Sequence, residues 1–208
     1  VYTHPIRNNA RVHVLAAFDA FVEAVPFAVT GIDCDNGSEF INHQIIGWAG
    51  DRDVFFTRSR PYKSNDQATI ESKNVHLVRR YGFYHRYDTA TELALLNQLW
   101  PLVNDRLNFF TPTKKPEGWA TDTVGRRKRL YDKPRSPYQR LLAAGVLNPA
   151  QETELAAYKA TLKPVAMQRR ITEIQQELTR LAGRKTARLE QHIAWKAPDP
   201  AGLKTRAS

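Results

Sequence analysis

The stretch from Phe27 to Asn42, FAVTGIDCDNGSEFIN, constrains the fold more than any other part of the chain. Phe27 to Ile32 is a short apolar run of strand type, and Asp35-Asn36-Gly37 behind it is a turn signal. Asp35 therefore falls at the carboxyl end of a strand, where open α/β sheets hold their chemistry. A second apolar run, Val54-Phe55-Phe56-Thr57, reads as another buried strand, and His43 to Ala49 as a short helix between the two.

A second polar motif follows at Asn65 to Asn74, NDQATIESKN. Glu71 lies near the start of a helix expected over Gln67 to Tyr81, after the polar loop Ser59 to Asp66. Asn74 lies one turn further on the same face. Taken singly, each motif is ordinary: Asp-Asn-Gly is a common turn, and a glutamate in the first turns of a helix is favoured by the macrodipole. Their joint spacing, with 35 residues between Asp35 and Glu71, carries the information.

That spacing, with DNG at one end, ESxN at the other and Arg60-Pro61-Tyr62 in the loop between, resembles the catalytic core of the DDE transposases and retroviral integrases. The resemblance runs from about Ile6 to Leu147, and TRSRPYKSNDQ, LNFFTP and SPYQRLLAAGVL look closest to bacterial insertion-sequence transposases. It implies an α/β fold: a partial ribonuclease H-like integrase core whose first strands are missing. The DNG strand and Val54 to Thr57 would lie parallel at one side of that family's five-stranded sheet, with Val1 to Ile6 as the tail of the third strand.

The activity implied is DNA transposition by metal-dependent phosphodiester cleavage and strand transfer. In this family three carboxylates hold two divalent ions, and Asp35 and Glu71 match the second and third as catalytic residues and ligands of Mg²⁺ or Mn²⁺. Carboxylate oxygens are the hard donors such ions take. Asn74 matches a supporting position that orients water or DNA, and Tyr62, Lys63 and Lys73 match positions that face DNA. The partners implied are transposon ends and target DNA, with a second copy or a full-length transposase alongside.

The family's first carboxylate has no match. Asp19 is the sole acid before Glu23, and it falls in a helical pattern, Arg11 to Val25, whose apolar stripe is Leu15, Phe18, Val22 and Val25. Asp19 is expected on the solvent side of that helix, which Asn8 or Asn9 can cap and Pro26 ends. Asp33, two residues from Asp35, could lend charge. Because the chain starts at Val1, within the expected fold, it reads as N-terminally truncated and inactive by itself. A bare edge on the DNG strand would favour self-association or poor stability. The alternative is a non-catalytic remnant that binds DNA or associates with intact transposase. A decayed sequence, or a nuclease that hydrolyses without joining strands, completes the set.

Charge agrees with a polyanionic partner: 31 Lys and Arg against 21 Asp and Glu give a formal +10. The single cysteine, Cys34, excludes an internal disulfide and fits a reducing, cytoplasmic, nucleoid-associated setting as a small core residue. No apolar run approaches the roughly 20 residues of a membrane span, and no secretory signal is expected. His43 and His76 have no partner at metal-ligand spacing.

The rest of the chain divides the molecule into residues 1–110, the partial catalytic core; 111–137, a Pro-rich basic linker; 138–195, a helical region; and 196–208, a disordered tail. On the Gln67 to Tyr81 helix, Ile70, Val75 and Val78 are available for the core. Asp88 to Phe110 is a long helix with a Thr89/Glu92 capping box, a kink expected at Pro101, and Leu93, Leu96, Trp100, Val103 and Leu107 as a core stripe. Arg126-Arg127-Lys128-Arg129 in the linker is a candidate DNA-phosphate contact. Three helices follow, Tyr138 to Val146, Pro149 to Leu162 and Val165 to about His192. The last carries a short seam, Ile171, Ile174, Leu178 and Leu181, that could pack on a neighbouring helix, on another subunit or on the core.

Overall fold

A computed structural model describes residues 1–8, 10–34, 37, 43–60 and 74–196, with the side chains of the last four of these left aside. The fold mixes helix and strand. Its first half holds α1 (Arg11–Ala24), β1 (Gly31–Cys34), α2 (His43–Gly50) and β2 (Phe55–Arg58). Asn8 accepts a hydrogen bond from the Ala10 N–H at 2.9 Å, which turns the chain into α1, although the N-cap itself is Ala10 with no side-chain bond. Helix α1 stops at Ala24, because Val25 precedes Pro26 and is driven to an extended conformation, φ −90° and ψ 137°.

Strands β1 and β2 pair in parallel, with Gly31 opposite Phe55 and Cys34 opposite Arg58. Alternation sends Ile32 and Phe56 to one face, where they meet Leu15, Phe18 and Val22 of α1 around buried Trp48, Ala49 and Val54. Phe18 and Trp48 stack with centroids 5.2 Å apart. Among the described residues this sheet has two strands. Val1 to Ile6 form no strand there. They run along the helical half instead, with the Thr3 and Val1 carbonyls accepting from Asn104 Nδ2 (3.1 Å) and Asn108 Nδ2 (2.7 Å). Side-chain amides replace the ladder that a third strand would have supplied.

The second half is mostly helical: a π-helical segment Asn74–Arg79, a single turn Arg80–Gly82, α3 (Ala90–Asp105) continuing as a π-helical segment Arg106–Phe110, α4 (Pro137–Ala144), α5 (Pro149–Thr161) and α6 (Pro164–Lys196). Thr89 and Glu92 form the expected capping box. Pro101 lies inside α3, and the helix runs on to Asp105 before its pitch widens. Ser136 and Asn148 cap α4 and α5, each ahead of a proline at the first helical position.

The core joins Leu99, Trp100 and Val103 of α3 to Ile171, Ile174 and Leu178 of α6, with Tyr81 at one end. The α6 seam therefore packs on a helix of its own chain. Trp100 is a core residue, and Gly82 sits so close to its ring that an added Cβ would lie 3.4 Å from Cζ2. Val75 and Val78 do not join this core: they are 45% and 40% exposed, while Leu77 and Tyr81 turn inward. The π-type pitch is the reason, since it shifts which positions share a face relative to the 3.6-residue repeat assumed from the sequence.

The Pro-rich basic linker is also corrected. Pro116–Thr121 (β3) and Arg127–Tyr131 (β4) form an antiparallel hairpin, extended by an isolated bridge between Thr113 and Arg135. The prolines do not interrupt it, because Pro116 is the first residue of β3, Pro112 and Pro134 lie outside the strands, and Pro137 begins α4. At the tip, Asp122 Oδ1 accepts from the Val124 and Arg126 N–H groups at 2.9 and 2.8 Å. Gly125 supplies the left-handed φ of 82° that the turn needs.

Candidate nucleic-acid interface

Asp35, Tyr62, Lys63, Glu71 and Lys73 lie outside the described residues, and so does Ile70. What is described is the frame on either side of them. Strand β1 runs into Asp35 from Asp33 and Cys34, and its Cys34 carbonyl accepts from the Ser59 N–H at 2.9 Å, which closes the carboxyl ends of the two parallel strands together. Cys34 faces the core. Asp33 projects to the opposite face, where Oδ1 accepts from Thr57 Oγ1 at 2.9 Å. Ser59 is buried there, and its hydroxyl has no hydrogen-bond partner among the described residues.

Asp19 is half exposed, as the helical pattern predicts, but it is not idle. Its Oδ1 accepts from Trp48 Nε1 at 2.7 Å and from Arg52 Nη2 at 2.9 Å, and the Arg52 guanidinium also lies 4.8 Å from the Trp48 ring centre. Asn74 opens the π-helical segment and is exposed, as are His43 and His76. Among the described residues no cluster of three or more His, Cys, Asp or Glu could hold a metal ion.

The basic run is the best-defined part of the site. Arg126 sits at the hairpin tip, and β4 carries Arg127, Lys128 and Arg129 exposed to solvent. Register places Trp119 opposite Arg129, Thr121 opposite Arg127, Ala120 opposite Lys128 and Gly118 opposite Leu130. Strand alternation thus divides the run: Arg127 and Arg129 share a face with Trp119, and Lys128 is on the other. Their guanidinium carbons lie 4.9 and 5.5 Å from the Trp119 ring centre. Trp119 was not singled out by the sequence reasoning; a tryptophan facing alternate basic residues across a turn is the signal that could have found it.

The base of the hairpin is clamped. Asp132 Oδ1 accepts from the Lys115 N–H at 2.6 Å, Asp132 Oδ2 accepts from Arg140 Nη1 at 2.5 Å, and Arg140 Nη2 also donates to the Thr113 carbonyl at 2.6 Å. The Arg140 hydrogen bond, seconded by the Lys115 amide, holds the Asp132 carboxyl down at about 2.

Other perturbed groups belong to the helical framework. Lys185 of α6 reaches Glu92 Oε1 at 2.8 Å and Asp88 Oδ1 at 2.9 Å. Burial would raise the Glu92 carboxyl, but hydrogen bonds from Lys185, Thr89 and the Asp88 amide outweigh it and lower it to about 2. A cleft of about 200 Å³ beside this cluster, lined by Arg184 and Arg188 among others, already has the Glu92 carboxylate in its wall. Tyr158 donates to Asp105 at 2.8 Å and is pushed up to about 12 by burial and by that carboxylate.

No helix among the described residues is long and apolar enough to cross a membrane. No protein-family model matches the chain. It is similar to a Sinorhizobium fredii protein named "Uncharacterized protein y4rM", with 37% identity over 111 residues, which is 53% of this chain and 32% of that protein. The chain thus spans about a third of the length of the relative it matches.

Proposed function

We propose that these residues belong to an integrase-type DDE transposase with a ribonuclease H-like core, which cleaves and joins DNA. The observation that carries this reading is the parallel pair β1 and β2, joined at their carboxyl ends, with Asp35-Asn36-Gly37 directly following β1 in the sequence. The donor chemistry suits a hard divalent cation. Asp35 and Glu71 offer carboxylate oxygens, and the one soft donor nearby, Cys34, is turned into the core. Asp35 and Glu71 would hold Mg²⁺ or Mn²⁺, which when bound activates the attacking oxygen and stabilises the leaving one.

The chain's own residues do the rest. Asn74, exposed at the start of its helical segment, is available to orient water or the DNA end. The basic run 126–129 supplies positive charge for phosphates and helps fix the duplex in place, a task that carries little sequence information. Residues 1–208 match only two of the family's three carboxylates, and the nearest described acid, Asp33, is engaged with Thr57. Strand transfer by these residues alone is therefore expected to be weak or nil. The anchored basic hairpin favours a second reading, in which the chain binds DNA, or associates with an intact transposase, without cutting.

Incubation with supercoiled plasmid and Mg²⁺ or Mn²⁺, beside Asp35→Ala and Glu71→Ala, separates these readings. Nicking or joining that disappears in both variants supports the catalytic assignment, and activity retained by either one removes it. Inactivity of all three, with salt-sensitive DNA binding that persists in EDTA, supports the second reading.

A further inference from the structure

Hairpin 116–131 is a projecting ribbon rather than a wall of the core. Its β4 residues are all exposed, and Trp119 is 56% exposed although it is the largest side chain on the ribbon. An indole held open to solvent on a clamped, two-stranded element needs a reason, since burial is the usual fate of so much apolar surface. The reason lies in its neighbours. Residues 114–135 carry eight Lys and Arg against three acids. Two of those acids are consumed internally, Asp122 by the tip amides and Asp132 by Lys115 and Arg140. Among the described residues none of Arg126, Arg127, Lys128 and Arg129 is in an ion pair, yet two of the four are held in place by an aromatic ring. A guanidinium stacked on an indole keeps its N–H edge free and gives up little rotamer freedom when that edge meets a phosphate.

We propose that this hairpin grips the phosphate backbone of duplex DNA through one face, on which Trp119 positions Arg127 and Arg129, while Lys128 on the opposite face contributes little. The inference rests on the DNA-directed reading above and deepens it by assigning the contact to particular side chains. A two-stranded ribbon is also of a size that the major groove, about 12 Å wide, admits. Asp132 and Arg140 fix the angle at which it projects, so the ribbon meets DNA as a stiff unit.

The test uses the full chain and a short fluorescent duplex of arbitrary sequence in EDTA, with anisotropy followed over a series of NaCl concentrations. Arg127→Ala with Arg129→Ala is expected to weaken binding about tenfold or more and to reduce the salt slope by roughly two phosphate contacts. Lys128→Ala is expected to cost under about twofold. Trp119→Leu leaves every charge in place and is expected to weaken binding several-fold with the salt slope nearly unchanged. Arg127→Lys with Arg129→Lys should behave in the same way. Circular dichroism and melting of each variant report whether the hairpin's parent fold is retained.

Equal losses from Lys128→Ala and from each single arginine variant would overturn the proposal, as would an unaltered affinity for Trp119→Leu. Absence of metal-free duplex binding, or tighter binding to the corresponding single strand, would also overturn it. Plasmid cleavage surviving Glu71→Ala removes the catalytic reading alone; absence of metal-free duplex binding removes the non-cutting DNA-binding reading together with the ribbon, whereas the differences among the hairpin variants bear on the ribbon alone.

Discussion

Among the described residues, the two halves of the molecule gather their buried side chains into clusters of different size. Among the described residues around the parallel pair, the buried cluster is Trp48, Ala49 and Val54, and the side chains packed against it remain partly open; Val14, Cys34 and Ile45 are buried as well. The cluster that joins α3, α6 and Tyr81 has seven buried residues, and five of these, Leu99, Val103, Ile171, Ile174 and Leu178, are at 0–1% exposure. The candidate chemistry is thus carried by the thinner layer, and stability by the helices behind it. Low local stability is usual in segments that form binding sites. The two halves touch through single hydrogen bonds such as Gln151 Nε2 to the Pro26 carbonyl at 3.2 Å, besides the Asn104 and Asn108 bonds to the first residues.

The largest effect should come from the helical core. Leu178→Ala removes a fully buried side chain and is expected to cost about 3–5 kcal/mol in urea unfolding; a cost below about 1 kcal/mol would mean that α3 and α6 do not set stability. Acid should act on the same half. Glu92 titrates at about 2 in the folded chain against an ordinary 4.5. Its contribution is therefore fully present above pH 4.5 and lost as pH falls from there towards 2, on the order of 2–3 kcal/mol in all. Melting curves across that window should fall less steeply for Glu92→Gln, and an unchanged acid limb would contradict the assignment.

Smaller effects are expected in the thin layer. Val54→Ala should cost about 1–2 kcal/mol and should raise amide exchange in β1 and β2 before it affects α3. Exchange that rises equally in both halves would erase the distinction drawn between them. Asp19→Asn keeps an acceptor for Trp48 and loses a half-exposed pair with Arg52, so it should cost less than about 1 kcal/mol.

Local chemistry was legible before any coordinates. Pro26 stops α1, Thr89 and Glu92 cap α3, and the run Val54 to Thr57 supplies β2 apart from its first residue, because each depends on a few neighbouring residues. The candidate site was legible as spacing and family likeness, and its basic part as a charge run. The hairpin was missed because four prolines and a basic run look like a solvated linker. Only the pairing of residues 116–121 with 127–131 shows that each proline occupies a position needing no ladder hydrogen bond. Val75 and Val78 were misassigned because a π-helical stretch does not follow the 3.6-residue repeat.

By itself the sequence determined β1, β2 and the long helices, the caps, the excess of positive charge and the Asp35 and Glu71 motifs, since propensity, turn chemistry and charge are properties of short segments. Tertiary structure decided which surfaces meet. The seam of α6 could have joined a second chain, and it turned to α3 because Trp100 and Val103 present a complementary apolar stripe within the same molecule. The run Arg126 to Arg129 could have been a uniform patch, and pairing with β3 divided it into two faces, only one of which has a tryptophan to hold its arginines. Contacts of that kind depend on which residues are brought opposite each other, and the register that brings them together is fixed only by the pairing itself.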